Sequence, residues 1–372
     1  MSEYQYYEFQ AIDRPLTDEE QQAVAQLSSR VEPHPRQAVF VYHWSGFPGN
    51  SHDILAKYYD AMLYMANWGG RQLMFRFPMS ALDLEQAQAY CQPPIIQDYL
   101  SLSTGGEYAT LNVEFHPQDN YDWIDGEGWL PAMLSLRDDI LHGDYRMLYL
   151  AWLGVTEFED LLDSVQEPPV PPGLKDLSPA LRTFIDFFEI DEMLVQVAAE
   201  ASGQRQTEFQ DWLRQAISRL PREERDAFLL RLAQREVSIS AKLHRCLRQV
   251  APLPEPEALP RRTVGRLVRE TEECREREQR RRAEEAEAKR IRDLKALAQR
   301  ECETWTQVFA LFEQMQAKPY DEAARLLAKL RDLAEYKGEE AAFLQCLNRI
   351  YEQYSRRSAL LRRLREAGLH QS

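Results

Sequence analysis

The segment 269–290 of this 372-residue chain contains no large apolar side chain, and Cys274 and alanines are its least polar residues. It therefore cannot contribute to a hydrophobic core or supply the a and d positions of a coiled coil. Glutamate and arginine recur in it at i,i+4, as in Glu278/Arg282, and each such pair stabilises an isolated helix by about 0.2–0.5 kcal/mol. The sequence predicts a solvated spacer helix over 261–300, roughly 55 Å long at 1.5 Å per residue.

Charge is unevenly distributed along the chain. Residues 1–200 hold 32 Asp and Glu against 10 Lys and Arg, a net charge of −22, whereas residues 201–372 carry a net charge of +7. This asymmetry indicates that the two parts have different surroundings or face each other. An apolar content of 44 % and an aromatic content of 10 % are typical of a globular protein and exclude general disorder.

Cysteine usage and hydropathy predict the compartment. The five cysteines lie far apart with no CxxC pair, which excludes a disulfide framework or a zinc cluster and favours a reducing cytosol. The N-terminal sequence has no basic and apolar signal-peptide regions, and no run of 18 apolar residues is long enough to span a membrane. We therefore expect a soluble, cytoplasmic, non-membrane protein.

Two proline-rich segments, Glu167–Gly173 and Ala251–Pro260, predict semi-rigid linkers, because each proline fixes its φ angle. Either segment is alternatively a ligand for a proline-binding domain. The linkers predict four parts, which are an acidic α/β domain (1–166), a helical domain (174–250), a charged spacer helix (261–300) and a helical docking module (301–372).

The first part alternates strand and helix patterns. Thr17 and Glu20 form a capping box that predicts a helix to about residue 29. A second predicted helix places Ile54, Tyr58, Met62 and Met65 on one face and ends at Gly69-Gly70. Predicted strands cover 4–11, 37–44, 71–77, 97–103 and 108–115, the last two as a hairpin. The pattern predicts an α+β or α/β sandwich of about five strands and leaves open whether the sheet is parallel.

The remaining parts show helical periodicity. Ser178-Pro179 is a helix start signal, and apolar stripes predict further helices over 191–201, 207–220, 221–235 and 238–250. In the last part, turns at Lys318–Asp321 and Lys337-Gly338 separate three apolar stripes, and leucines close the chain. The sequence predicts a C-terminal antiparallel helical module.

Several short sequences carry a resemblance to known families. Glu3-Tyr-Gln-Tyr-Tyr-Glu-Phe9, Ala11-Ile-Asp-Arg-Pro-Leu16, Tyr42-His-Trp44, Trp123-Ile-Asp-Gly-Glu-Gly-Trp129 and Arg261-Arg-Thr-Val-Gly265 resemble an uncharacterised family of bacterial proteins of about this length. That resemblance implies no activity and no functional residue. The tail, from Tyr320-Asp-Glu-Ala323 to Leu330-Arg-Asp-Leu-Ala334, is similar to the C-terminal helices of bacterial SWIM zinc-finger proteins. The zinc-binding signature of those proteins is missing, so no metal chemistry is implied.

Two clusters in the first part are candidates for chemistry. Asp119, Asp122, Asp125 and Glu127 form the densest acidic loop, which suits a hard cation, but their spacing fails the EF-hand pattern and a polar hairpin is the simpler interpretation. The candidate residues for the catalytic site of a hydrolase are His43, His52, Asp53, His116 and Asp122. No nucleophile motif accompanies them, and capping or core histidines are expected instead.

Phosphate and nucleic-acid candidates are also present. Ser45–Ser51 joins a strand to a helix N-terminus, where phosphate binds in other proteins, but it lacks the Walker lysine. The spacer offers basic candidates for nucleic acid, namely Arg275, Arg280, Arg281, Arg282, Lys289 and Arg290. Interleaved glutamates and the lack of a base-stacking aromatic favour a solvated helix.

The tail carries aromatic residues of the kind that anchor interfaces. They are Trp305, Phe312, Tyr320, Tyr336, Tyr351 and Tyr354, and the alternative is that they serve the tail's own core. The leading hypothesis is a non-enzymatic interaction or scaffold protein that bridges protein partners without a cofactor. The alternatives are a nucleic-acid-associated accessory protein using 261–300 and a hydrolase centred on the first part.

Overall fold

The computed structural model describes residues 4–28, 31, 33–43, 46–47, 49–116, 125–157, 163–203, 209–234, 236, 238–251 and 261–371. The chain forms two compact units, Met1–Cys274 and Arg275–Ser372. The boundary therefore lies inside the predicted spacer helix and not at either proline-rich segment. The predicted domains 1–166 and 174–250 belong to one unit.

The first unit is built on one antiparallel sheet. Its strands are Gln5–Gln10 (β1), Gln37–Tyr42 (β2), Ala61–Ala66 (β3), Arg71–Pro78 (β4), Leu100–Gly105 (β5) and Tyr108–Phe115 (β6). Their order across the sheet is β2-β1-β3-β4-β6-β5, and every neighbouring pair is antiparallel. The predicted α+β class is confirmed, and the question of strand direction is settled in favour of an antiparallel sheet.

Strand β3 corrects the sequence interpretation of residues 61–66. Those residues were predicted to extend the helix of Ile54, which in fact ends at Tyr58. In the sheet, Met62 faces one core and Met65 faces the core on the opposite side, so they do not share a face. A central strand buried on both faces has a continuous apolar sequence, and such a run does not show the alternation that distinguishes strand from helix.

Eleven helices lie wholly within the described part of the first unit. They are Asp18–Ala25 (α1), Ser51–Tyr58 (α2), Leu84–Gln88 (α3), Trp129–Met133 (α4), Ser135–Leu141 (α5), Arg146–Val155 (α6), Pro179–Phe188 (α7), Glu192–Glu200 (α8), Phe209–Arg219 (α9), Arg222–Ala233 (α10) and Ile239–Val250 (α11). Helices α1 and α2 pack on one face of the sheet, and α4 to α8 cover the other. The capping box of Thr17 and Glu20 is present at the start of α1, as predicted.

The first proline-rich segment is not an exposed linker. Glu167 is buried, its backbone N–H donates to the carbonyl of Arg262 at 2.8 Å, and Pro168 and Pro171 are buried as well. Gln166 and Thr263 form an antiparallel bridge. Backbone pairing with a distant segment therefore holds 165–167 in place. Apart from Ala251, the second proline-rich segment lies outside the described residues.

Helices α9 and α11 share a small apolar core of their own. Ala216, Leu220, Leu247 and Ala251 form it, and the indole of Trp212 donates to the carbonyl of Ala251 at 2.9 Å. All of the buried side chains of this core come from α9, α11 and the residues that follow those two helices. Helix α10 contributes none.

The predicted spacer is one helix, Val264–Gln299 (α12). Val264 and Leu267 in its first turns are buried in the core of the first unit, which is a contact that a free spacer would lack. All residues from Gln279 to Arg290 are exposed. The central part of α12 is therefore solvated, as the absence of apolar side chains predicted.

The second unit contains four further helices, which are Glu301–Glu313 (α13), Ala317–Lys337 (α14), Glu340–Gln353 (α15) and Ser358–Glu366 (α16). Gly338 adopts φ +72° and ends α14, as predicted. The predicted turn at Lys318–Asp321 is wrong, because those residues form the first turn of α14, where proline is tolerated. Across the described residues of both units, no helix is long and apolar enough to cross a membrane.

Candidate interaction surface

Helix α10 exposes apolar side chains on the surface of the first unit. The relative exposure is 63 % for Leu229, 60 % for Leu230 and 59 % for Leu232. Phe228 is half-buried, and none of the residues of α10 is buried. Leucines scattered singly on a surface are ordinary, but Leu229 and Leu232 are three residues apart and lie on the same side of α10, where they form an apolar patch of the kind that marks an interaction site.

Local sequence explains why α10 is helical without a buried face. Pro221 precedes it, and Glu223 and Glu224 lie in the first turn, where negative charge favours the helix dipole. Arg231 lies in the last turn and donates to Glu236 at 2.6 and 2.7 Å. Interactions at its two ends therefore stabilise α10, and it makes few contacts with α11.

A cavity of about 340 Å³ lies beside α10. Three cationic side chains line it, Arg231 from α10 and Lys242 and Arg245 from α11. The ring of Phe228 also lines the cavity, and the Arg231 guanidinium lies over that ring, 5.1 Å from its centroid. The remaining lining residues are Ser80, Cys246 and Gln249.

One carboxylate holds two of these cations. Glu236 accepts from Arg231 and from Lys242, the latter at 2.7 Å. The hydrogen bonds from Arg231 and then from Lys242 lower the pKa of Glu236 to about 2. Arg245 is held differently, because its Nη1 donates to the backbone carbonyl of Met79 at 2.9 Å. The three cationic side chains are therefore held in fixed positions, and Glu236 offsets part of their charge.

Helix α11 is attached to the rest of the first unit by polar contacts. Its Ser240 hydroxyl lies 3.0 Å from Nε2 of His142, and its Arg248 donates to the carbonyl of His142. Gly143 makes this approach possible, since a Cβ at that position would lie 2.1 Å from the Arg248 guanidinium. Arg245 adds the bond to Met79. These contacts position the cationic side of α11 at the cavity.

A histidine pair lies at the same attachment. The rings of His142 and His244 are 4.9 Å apart and nearly perpendicular. Burial, together with the positive charges of His142 and Arg248, lowers the pKa of His244 to about 4. His244 is therefore neutral at pH 7, and its protonation at lower pH acts against the attachment of α11.

The second unit has its own surface groove, with a volume of about 290 Å³. Its floor is apolar, formed by Phe343, Leu344, Leu347 and Leu369, and Leu344 is 39 % exposed. Arg331, Glu335, Glu340 and His370 contribute charged or polar groups to its rim. The volume of this groove is slightly smaller than that of the cavity beside α10.

Most of the aromatic residues predicted to bind a partner belong instead to the core of the second unit. Phe312, Tyr320, Tyr351 and Tyr354 are buried, and the Tyr351 hydroxyl donates to the carbonyl of Leu369 at 2.6 Å. The four-helix arrangement is small and uses its large rings to fill its interior. Tyr336, at 45 % exposure, and half-buried Trp305 remain at the surface.

The histidines considered for catalysis do not converge. His43 follows β2 and His116 follows β6, at the same end of the sheet but with three strands between them, which corresponds to about 19 Å at 4.8 Å per strand. His52 and Asp53 are exposed at the start of α2. Asp122 lies outside the described residues.

The acidic loop is described only in part, because Asp119 and Asp122 lie outside the described residues. Asp125 accepts the backbone N–H of Glu127 at 3.2 Å, and its carbonyl accepts the Trp129 indole N–H at 3.0 Å. Both are contacts of an ordinary polar turn. Within the described ranges, no three His, Cys, Asp or Glu side chains are grouped as metal ligands.

The predicted phosphate loop is anchored by an aromatic ring. Phe47 stacks on Tyr7 at 4.6 Å and meets the edge of Phe40 at 5.0 Å. At the helix N-terminus, the Asn50 side chain accepts from the N–H groups of His52 and Asp53. These N–H groups, which a phosphate would use, already have a protein partner.

Most of the basic residues considered for nucleic acid are paired along α12. Arg280 contacts Glu276, Arg281 contacts Glu278 and Glu285, Arg282 contacts Glu278, and Arg290 contacts Glu287. Arg275 also has an interaction partner, and Lys289 is exposed. These glutamates neutralise the arginine charges that would otherwise attract the phosphates of a nucleic acid.

The apolar patch on α10 was not among the sequence-predicted sites, although the signal was present. Within the predicted helix 221–235, Phe228, Leu229 and Leu230 are consecutive and Leu232 follows. Consecutive apolar residues point around a helix and not along one face, so they cannot all be buried on one side.

No protein family, curated protein or solved structure matches this chain significantly. The resemblances to a bacterial family and to the tail of SWIM zinc-finger proteins therefore remain predictions from the sequence.

Proposed function

We propose that this protein is a non-enzymatic interaction protein, with α10 as a docking helix for a protein partner. The observation that carries the proposal is the exposure of three leucines on a helix with no buried residue. Fully burying a leucine side chain contributes about 1.5–3 kcal/mol, so covering this patch would stabilise a complex substantially. No enzyme is needed to account for such a surface.

The groove of the second unit supports a bridging role. Its apolar floor around Leu344 is a second surface, separate in sequence from α10 and belonging to the other compact unit. A protein with one such surface on each unit would hold two partners together. The solvated central part of α12 lies in sequence between Leu267, buried in the first core, and Leu294, buried in the second, which is consistent with that role.

The alternatives have less support. A hydrolase would need His43, His52 or His116 beside a nucleophile, and these histidines lie apart. A nucleic-acid role through α12 would need its arginines to exchange their glutamate partners for phosphates, and such binding would fall steeply with salt.

Photo-crosslinking tests the proposal. A photo-reactive phenylalanine analogue replaces Leu229 in the full chain, in its native host, and the matched control carries it at exposed Lys175 of the same unit. We expect one dominant protein adduct at 229, absent at 175 and lost when Leu232→Glu, on the same side of α10, is added. Equal labelling at both positions, or an adduct that survives Leu232→Glu, would rule out α10 as a docking helix.

A further inference from the structure

The described residues that line the cavity beside α10 include three cations and no carboxylate, although Glu236 pairs with two of those cations and Glu224 lies 4.0 Å from the Cys246 thiol. Residues 1–200 carry a net charge of −22, yet Arg231, Lys242 and Arg245 line the cavity next to the leucines. Helix α11, which supplies two of the three cations, contains no Asp or Glu. The three lining cations outnumber the one carboxylate, Glu236, that pairs with them, and this excess favours an anionic ligand group.

The cationic and apolar elements form one continuous surface. Phe228 and Leu232 are four residues apart on α10 and therefore share a face, with Arg231 beside them. Leu229 is three residues from Leu232 and extends the apolar strip along the helix. Phe228 belongs both to the cavity lining and to this strip, so an occupant that covers Phe228 and Leu232 lies beside the cavity.

We infer that the partner segment on α10 is an acidic amphipathic helix, whose apolar residues cover Leu229 and Leu232 and whose carboxylates enter the cavity of Arg231, Lys242 and Arg245. This inference rests on the proposed docking function and adds the chemistry of the partner. Arginine guanidinium groups bind carboxylates through parallel N–H donors, and an amphipathic helix lies along an apolar strip in other helix-in-groove complexes.

Glu236 shows how a carboxylate fits this cavity. It already accepts from Arg231 and Lys242 at 2.6 to 2.7 Å, from within the chain. A partner carboxylate would compete with Glu236 for these two cations, whereas Arg245 offers a guanidinium whose described bond goes to a neutral carbonyl. Glu236 is therefore expected to weaken the binding of an acidic segment.

The leucines argue against nucleic acid as the occupant of the same cavity. Phosphates would suit Arg245 and Lys242, but exposed leucines have no hydrogen-bonding groups to read a base and no ring to stack on it. A protein segment uses both halves of the surface, the cations and the apolar strip.

The test uses the full-length protein and three fluorescein-labelled 16-residue peptides, read by fluorescence anisotropy. The first is an amphipathic helix with leucines on one face and glutamates beside them. The second has lysine in place of every glutamate, and the third has alanine in place of every leucine. We expect only the first to bind, and more weakly at 200 mM than at 50 mM salt.

Two variants with opposite expected effects on peptide affinity make the test specific. Lys242→Glu is expected to weaken the first peptide about tenfold, the equivalent of about 1.4 kcal/mol. Glu236→Gln is expected to tighten it severalfold, because it removes the competing carboxylate. Lys175→Glu, a charge reversal at an exposed site of the same unit, is expected to leave it unchanged. Circular dichroism and thermal melting check that each variant is folded.

The outcomes separate this inference from the proposed function. An adduct at position 229 in the native host, combined with peptide binding that ignores both Lys242→Glu and Glu236→Gln, overturns the acidic partner and leaves α10 as a docking helix. Preference for the lysine peptide or for a 20-base-pair DNA duplex also overturns it. Absence of the adduct at 229 counts against the docking function itself.

Discussion

Arg262 and Glu167 form a buried, two-pronged ion pair between segments far apart in the chain. The Nη2 and Nε groups of Arg262 donate to the two carboxylate oxygens of Glu167 at 2.8 and 2.9 Å. The hydroxyl of Tyr149 also donates to Glu167, and burial together with that carboxylate keeps the pKa of Tyr149 well above its ordinary value. The pair fastens the proline-rich segment to the residues that precede α12.

Removing one partner of this pair should strongly destabilise the first unit. Glu167→Ala leaves the Arg262 guanidinium buried without its main carboxylate, and we expect the free energy of unfolding to fall by about 3 kcal/mol. Urea unfolding followed by circular dichroism measures the change. Glu270→Ala is the control, because Glu270 contacts the same Arg262 from a half-exposed position and should cost less than about 1 kcal/mol. Equal losses in both variants would contradict the special role of Glu167.

The free energy of unfolding should decrease as the pH is lowered from 7 toward 4, because His244 is neutral in the folded protein. Its pKa is about 4 in the folded protein and about 6.5 in an unfolded chain, so the unfolded state binds a proton first as the pH falls. The contribution of neutral His244 is therefore complete above about pH 6.5 and is lost progressively toward pH 4. His244→Gln should reduce the difference in urea midpoint between pH 7 and pH 5. His52→Gln, at an exposed position, should keep the wild-type difference.

The leucines of α10 should matter little for folding. Leu229→Gln with Leu232→Gln should leave the melting temperature within about 1–2 °C, since both side chains are about 60 % exposed. Leu247→Ala in the small core of α9 and α11 should instead cost about 2–5 kcal/mol of that core's stability. Hydrogen exchange of α9 and α11 measures the local effect. Marked destabilisation by the glutamine pair would mean that α10 is packed in solution.

Removing the hydroxyl of a buried tyrosine in the second unit should cost more stability than removing that of an exposed one. Tyr351→Phe removes the donor to the carbonyl of buried Leu369 and should lower the stability of that unit by about 1–2 kcal/mol. Tyr336→Phe removes a hydroxyl at a 45 % exposed position and should change stability by less than about 0.5 kcal/mol. Thermal unfolding monitored at the tyrosine band compares them. A reversed order would place Tyr336 in the core.

Several elements could be predicted because their causes are local. The capping box of Thr17 and Glu20, the end of α14 at Gly338 and the helical pairing of Glu278 with Arg282 involve residues at most a few positions apart. Strand β3 could not be predicted in this way. Its residues are strand because β1 and β4 pair with it on both sides, and neither neighbour is visible in its own sequence.

Of the candidate interaction site, the sequence predicted only that residues 221–235 form a helix. The run from Phe228 to Leu232 indicates that its apolar residues cannot share one face, but the sequence does not show whether neighbouring helices cover them. The cations of α11 likewise appear in the sequence as part of one more amphipathic helix. Their approach to Arg231 depends on the attachment of α11 through Arg245 and Arg248.

By itself, the sequence determined that a domain of mixed strands and helices precedes all-helical segments, as well as most helix positions and the solvated central part of α12, because these follow from capping, from periodicity and from the absence of apolar side chains. Only the tertiary structure decided that Phe312, Tyr320, Tyr351 and Tyr354 fill a core while Leu229, Leu230 and Leu232 face water. Burial depends on which surfaces distant segments cover, and two side chains of similar hydropathy differ in exposure when only one of them has a neighbour across the fold.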